Sequence, residues 1–148
     1  MRRILLALAT AATLTGCSVF GQETLCTKAD MDSEVAVVWR PADFGGTDAA
    51  VIRVCVEDKC KEQKSGDADN PIARVSVRLP DDIGAVTVPV RLKVTAARDD
   101  RVVVADSRRA RLTEQHPNGT SCSPEAWTAT FRADPDKGLT SPEGLSLR

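Results

Sequence analysis

The stretch VTVPVRLKVTA, residues 86–96, decides the fold class of this chain. Apolar and polar residues alternate along it, and a period of two is typical of a β-strand with one buried face. The apolar side carries Val86, Val88, Val90, Leu92 and Val94, and the other side carries Thr87, Pro89, Arg91, Lys93 and Thr95. Because Pro89 has no N–H for a ladder, the stretch predicts an edge position or a bulge there.

The same alternation recurs on both sides of this stretch, separated by turn residues such as Pro, Gly and Asp. Further strands are predicted at 34–40, 50–56, 73–79, 101–105, 109–113 and 126–132. About seven short strands without a helical period predict an all-β fold, an antiparallel immunoglobulin-like β-sandwich. A small closed β-barrel is the alternative. The polar segment 61–71 is predicted to be a mobile loop, and 134–148 a partly ordered tail.

Composition excludes several classes of binding protein. The 148 residues hold 20 basic and 21 acidic side chains, for a net charge of −1, which gives no support for nucleic-acid binding. With no Tyr, three Phe and two Trp, a site built on aromatic platforms is not expected.

The N-terminal stretch MRRILLALATAATLTGC, residues 1–17, begins with two arginines and continues with an uncharged run over 4–14. That run is too short for a spanning helix, which needs about 20 residues. The stretch resembles the signal peptide and lipobox of bacterial lipoproteins, with Leu14-Thr15-Gly16-Cys17 as the lipobox. The resemblance implies export through the Sec pathway and cleavage after Gly16. It also implies a thioether-linked diacylglyceryl lipid, of the palmitate type, on Cys17.

The chain is predicted to have four parts. The resemblance implies a signal peptide at 1–16 and a lipidated N-terminus and tether at 17–33, and the strand pattern assigns 34–133 to the β-sandwich and 134–148 to the tail. Because two acyl chains hold a protein stably at a bilayer, we expect a lipid-anchored protein on the extracytoplasmic face of the cell membrane.

If Cys17 carries lipid, four cysteines remain, and an even number in an exported protein favours two disulfides. Four cysteines allow three connectivities. A hairpin over 54–60 would place Cys55 opposite Cys60, within disulfide reach. We therefore favour Cys55–Cys60 together with Cys26–Cys122; reduced cysteines are the alternative.

A weaker resemblance covers two short stretches, VCVEDKC at 54–60 and PNGTSCSPEAW at 117–127. They resemble small uncharacterised exported proteins of high-GC bacteria, which often carry Cys-x-Pro-x-Cys-Trp at the second site. Here Ala126 replaces the second of those cysteines, which leaves Cys122 to bond elsewhere, with Cys26 as its candidate. The resemblance implies no activity.

The residues offer few candidates for catalysis or metal binding. His116, Asn118 and Cys122 suggest a thiol hydrolase, but an exported Cys122 is more typical of a disulfide, so no catalytic residue is predicted. A single His gives no zinc spacing. Acidic loops at 30–34 and 67–70 could hold calcium, although turn capping is commoner for such residues. No metal and no cofactor is predicted.

The remaining features indicate a non-enzymatic binding or structural module at the cell envelope. Its partners would be the membrane, through Cys17, and another envelope protein bound by loops at 43–48, 61–71 and 115–124. The basic run 108–111 could touch anionic lipid headgroups or a cell-wall polymer, although a strand with Arg on its wet face is the commoner arrangement. The alternatives are a ligand-binding accessory protein of a transporter and, less favoured, an envelope hydrolase.

Overall fold

A computed structural model describes residue 26 and residues 31–123 and 126–142. Cys17 and the lipobox, the predicted signal peptide and Asp30 lie outside these described residues. Within the described part, no helix is long and apolar enough to cross a bilayer.

The described residues form nine strands and one short 3₁₀ helix, Pro41–Phe44. The strands are β1 Glu34–Trp39, β2 Ala50–Val56, β3 Lys59–Lys64, β4 Ala73–Arg78, β5 Thr87–Ala96, β6 Val102–Arg111, β7 Thr113–Gln115, β8 Ala126–Asp134 and β9 Gly138–Thr140.

These strands make two sheets that pack face to face. Sheet A has the order β4-β1-β8-β7, with β9 also paired to β8, and sheet B has the order β3-β2-β5-β6. Every pairing is antiparallel except that of β1 with β8, which is parallel. The predicted β-sandwich is confirmed, and the sheets do not close into a barrel.

The core lies between the two sheets and is built from the apolar side of each alternating strand. Its fully buried members include Val35, Val37, Trp39, Ile52, Val54, Val90 and Val94. The indole Nε1 of Trp39 donates a hydrogen bond to the Ser65 carbonyl at 2.7 Å, so its polar group has a partner inside the core.

Both favoured disulfides are present. Cys55–Cys60, here called the hairpin disulfide, joins directly paired positions of β2 and β3. Cys26–Cys122, the long-range disulfide, joins residues 96 positions apart. It therefore links the segment that precedes β1 to the loop that precedes β8.

The prediction of a loop over 61–71 was wrong for its first part, because β3 occupies Lys59–Lys64. This strand is one edge of sheet B, and five of its six side chains are exposed. An edge strand with both faces wet shows no apolar alternation, and its lysines discourage pairing with another chain.

The region 101–113 also differs from its prediction as two separate strands. A single strand, β6, runs through Asp106-Ser107, where we expected a break, and β7 follows it in the other sheet. Asp106 is tolerated within the strand because its carboxylate accepts hydrogen bonds from the N–H groups of Ser107 and Leu139.

Strand β9, Gly138–Thr140, lies inside the predicted tail 134–148. It forms a hairpin with β8, whose turn is held by the Asp134 carboxylate. That carboxylate accepts hydrogen bonds from the N–H groups of Asp136 and Lys137. These hydrogen bonds hold the pKa of Asp134 below its ordinary value, and the one from Asp136 has the largest effect.

The predicted edge or bulge at Pro89 was wrong, because β5 is a central strand and its irregularity falls between Val94 and Thr95. Pro89 is accepted because it lies just beyond the end of β2. Its carbonyl accepts a hydrogen bond from the Glu57 N–H at 3.3 Å. Because proline has no N–H to donate to the Glu57 carbonyl, that carbonyl accepts a hydrogen bond from Arg91 Nη2 instead, at 2.9 Å.

Candidate functional site

The outer surface of sheet B carries a group of exposed basic side chains. Strand alternation turns the polar side of β5 outward, and register brings the outward residues of β2 and β6 beside it. We call this surface the cationic face and define it by Arg53, Arg91, Lys93, Arg109 and Arg111.

Register brings these charges close together. Arg53 lies directly opposite Lys93 across the β2–β5 ladder. Cys55 and Ser107 are the direct partners of Arg91, which places Arg91 diagonal to both Arg53 and Arg109. Like charges that lie directly opposite each other destabilise a sheet, and Arg53 and Lys93 are such a pair. The fold therefore keeps this cluster at a cost to its own stability.

The outer surface of sheet A also carries arginines, but acids neutralise them. The ion pairs there are Arg74–Glu34, Arg78–Asp32 at 2.6 Å and Arg132–Asp43 at 3.3 Å. On the cationic face, Arg53 pairs with Glu62 at 3.1 Å. Among the described residues, no carboxylate pairs with Lys93, Arg109 or Arg111. The two outer surfaces thus differ in the pairing of their positive charges.

A cleft of about 740 Å³ opens in the cationic face. It is lined by the hairpin disulfide, by the small residues Ala105 and Ser107, and by Arg53, Arg91 and Lys93. Small residues on both sides of the basic ones leave room there, so the cleft can take an anionic group.

The predicted basic run 108–111 contributes only part of this surface. Arg109 and Arg111 point outward, whereas Arg108 falls on the other side of β6 and pairs with Asp106 at 3.2 Å. The sequence interpretation therefore missed the contribution of Arg53, Arg91 and Lys93. A signal existed in the polar side of the stretch 86–96, but its convergence with β2 and β6 depends on register.

Asp106 borders the cleft, but its carboxylate lies on the other side of β6 from Ser107, where it ties β6 to β9. Its Oδ2 accepts a hydrogen bond from the Leu139 N–H at 2.9 Å, and its Oδ1 accepts one from Ser107 N–H at 2.8 Å. Burial raises the pKa of this carboxyl. The two hydrogen bonds and the Arg108 charge outweigh that effect and hold the pKa below its ordinary value of 3.8.

The residues of the hydrolase alternative do lie together, but not as a nucleophile and a base. The Cys122 sulfur is bonded to Cys26, so it carries no thiol. The ring of His116 contacts the Cys122 carbonyl through Nδ1 at 3.0 Å and the Glu114 carboxylate through Nε2 at 3.4 Å. Asn118 places its carbonyl oxygen 3.4 Å from the Cys122 sulfur. These contacts hold the loop in shape.

The acidic loops have structural partners. Asp32 and Glu34 form the ion pairs given above, and the Asp67 carboxylate accepts a hydrogen bond from the Asp69 N–H at 3.0 Å. Across 31–123 and 126–142, no group of three or more His, Cys, Asp or Glu side chains is arranged to hold a metal ion.

A second cleft, of about 630 Å³, lies at one end of the sandwich, between the 3₁₀ helix and the β5–β6 turn. It is lined by Phe44, Ala96, Arg98, Arg101 and others. Part of the predicted recognition loop 43–48 borders it, and Asp43 there is committed to its ion pair.

Comparison with protein-family models, with curated proteins and with solved structures finds no match to this chain. The chemistry of the cationic face is therefore the basis for inferring a function.

Proposed function

We propose that this chain is a non-enzymatic binding module of the cell envelope. A lipid on Cys17 would hold it on the extracytoplasmic face of the cell membrane, and its cationic face would bind an anionic partner there. The observation that carries the binding proposal is the difference between the two outer surfaces. Acids pair with Arg74, Arg78 and Arg132 on sheet A, whereas Lys93, Arg109 and Arg111 have no such partner within the described residues.

The close spacing of like charges on sheet B, which destabilises the fold, supports a binding role. A chain that needed only a wet outer surface could mix acids among the bases, as sheet A does. Instead, sheet B places Arg53 directly opposite Lys93 and Arg91 diagonal to Arg109. An anionic partner would relieve this repulsion, so part of the cost returns as binding free energy.

The two disulfides support export. Disulfides form and persist in oxidising compartments outside the cytoplasm, and both pairs of this chain are bonded. The long-range disulfide uses the one thiol on which the hydrolase alternative relies, which supports the non-enzymatic proposal.

The anchor is tested by the intact mass of the protein purified from its native membranes. We expect a chain that lacks residues 1–16 and gains a diacylglyceryl group, and a Cys17→Ser variant that leaves the membrane fraction. An unlipidated product in the native membranes would contradict the anchor.

The cationic face is tested by retention of the full chain on immobilised dextran sulfate. The variant Lys93→Gln/Arg109→Gln should elute at clearly lower salt than the native chain, because its lost charges are unpaired ones. The matched control Arg74→Gln/Arg78→Gln removes the same charge from the other sheet and should elute close to the native chain. Equal shifts for both variants would show that net charge alone governs retention.

A further inference from the structure

We propose that the cleft in the cationic face binds a phosphate group carried by a larger molecule. This inference rests on the proposed function, because it names the chemistry that the same face recognises.

Donors reach the cleft from three strands. Arg53 comes from β2, Arg91 and Lys93 from β5, and the Ser107 hydroxyl from β6. A planar carboxylate is satisfied by the fork of one arginine, whereas a tetrahedral phosphate accepts hydrogen bonds from several directions at once. Donors that come from three neighbouring strands therefore fit phosphate better than carboxylate.

Two of these donors are already positioned by the fold. Arg53 Nη1 is bonded to Glu62 at 3.1 Å, and Arg91 Nη2 to the Glu57 carbonyl at 2.9 Å. Each guanidinium has five N–H donors, so one such bond orients the group and leaves others for a ligand. Side chains held in place before binding lose less conformational entropy when a ligand arrives.

The surroundings indicate that the phosphate belongs to a larger molecule. The cleft volume of about 740 Å³ is in the range of sites for whole small molecules rather than a single ion. Arg109 lies diagonal to Arg91, and Arg111 follows two residues later, about 7 Å along the same strand. The row of cations therefore continues out of the cleft and can meet a second anionic group of the ligand.

One end of the sandwich carries charges of both signs, so it gives a lipid headgroup no advantage as the source of this phosphate. Asp58, Asp81 and Asp82 are exposed there, in the β2–β3 turn and the β4–β5 connection, together with Lys59 and Arg111. That end also holds the start of β1 and the long-range disulfide. An anionic bilayer would repel the acids while it attracted the bases, whereas a soluble or polymer-borne phosphate can approach the open face.

The test is a titration of the full, oxidised chain with glycerol 3-phosphate, followed by backbone and arginine side-chain NMR shifts. We expect saturating shifts at Arg91, Lys93 and Ser107, with no comparable shifts from acetate at equal ionic strength. Lys93→Gln should weaken binding by at least about tenfold, as expected for a lost charge-assisted hydrogen bond, and Ser107→Ala should weaken it less. The control Arg74→Gln should bind as the native chain does.

Each of the following results would overturn the inference. Equal saturation by acetate would show a general anion site. Binding to phosphatidylcholine vesicles that contain phosphatidylglycerol, without saturation by glycerol 3-phosphate, would show a headgroup surface. If dextran sulfate retains the chain but the phosphate ester does not bind, this inference fails and the proposed function stands. If neither binds, both fail.

Discussion

Substitution of Gly138 by Ala should destabilise the chain far more than a glycine substitution usually does. Gly138 opens β9 with a φ of +75°, which L-residues rarely adopt. A Cβ built there would lie 2.5 Å from both Cβ and Oδ2 of Asp106. Because Asp106 is part of β6, it can relieve this contact only if the two strands separate or its carboxylate turns away.

The cost of this substitution has two parts. The left-handed backbone contributes about 1–2 kcal/mol for a residue with a Cβ. Displacing the Asp106 carboxylate loses the hydrogen bond from the Leu139 N–H, worth about 1.5–3 kcal/mol because the acceptor is charged. We therefore expect Gly138→Ala to lower the free energy of unfolding by about 2.5–5 kcal/mol.

Gly84 offers a matched control, since its φ is also +75° and no atom lies within 4 Å of the position a Cβ would take. Gly84→Ala should therefore cost only the backbone part, about 1–2 kcal/mol. Equilibrium urea unfolding, followed by tryptophan fluorescence, measures both variants on the oxidised chain. If the two variants lose equal stability, the contact between β9 and Asp106 does not carry the energy assigned to it.

Three further perturbations test other contacts. The folded-state pKa of Asp106 is lowered, so its contribution to the free energy of unfolding is present above the unfolded pKa of 3.8 and is lost as the pH falls through the lower folded value. Asp106→Asn should therefore reduce the loss of stability at acid pH, measured by urea unfolding at a series of pH values. Replacing both cysteines of the long-range disulfide by serine should cost about 4–5 kcal/mol in the chain-entropy model, because that bond closes a loop of 96 residues. The same replacement of the hairpin disulfide, which closes a loop of five, should cost about 2 kcal/mol. Equal losses of stability in urea unfolding would contradict the model. Trp39→Phe should cost about 2–3 kcal/mol, because it leaves the buried Ser65 carbonyl without its indole donor, and a melting temperature within a degree of the native chain would refute that role.

Strands with one buried face could be predicted from the sequence, because their period is local. The stretch 86–96 differs from β5 by one residue, and 50–56 matches β2 at both ends. Strands without a buried face could not be found in this way. Lys59–Lys64 forms a strand because its backbone pairs with that of β2. Its side chains show no apolar alternation that would predict a strand.

The candidate site was predictable only in part for the same reason. Arg109 and Arg111 stand together in the sequence, and their alternation with Ala110 placed them on one face. Arg53 and Lys93 meet only because β2 and β5 pair in one particular register, which a period of two does not specify. Pro89 was misplaced because its missing N–H falls beyond the end of β2, a position that depends on where the neighbouring strand stops.

The parallel pairing of β1 with β8 constrains how the chain acquires its structure. Sheet B draws on four strands between residues 50 and 111, with hairpins joining β2 to β3 and β5 to β6. In sheet A, by contrast, β1 can pair with β8 only after about 90 more residues have been synthesised. Such distant pairing is slow to form.

A growing or truncated chain that ends before β8 would leave β1 with one neighbour instead of two. The inner residues Val35 and Val37, fully buried in the finished fold, would then lose part of their cover. Exposed apolar edges of this kind are what chaperones and proteases recognise. Sheet A can therefore close only after synthesis has passed β8.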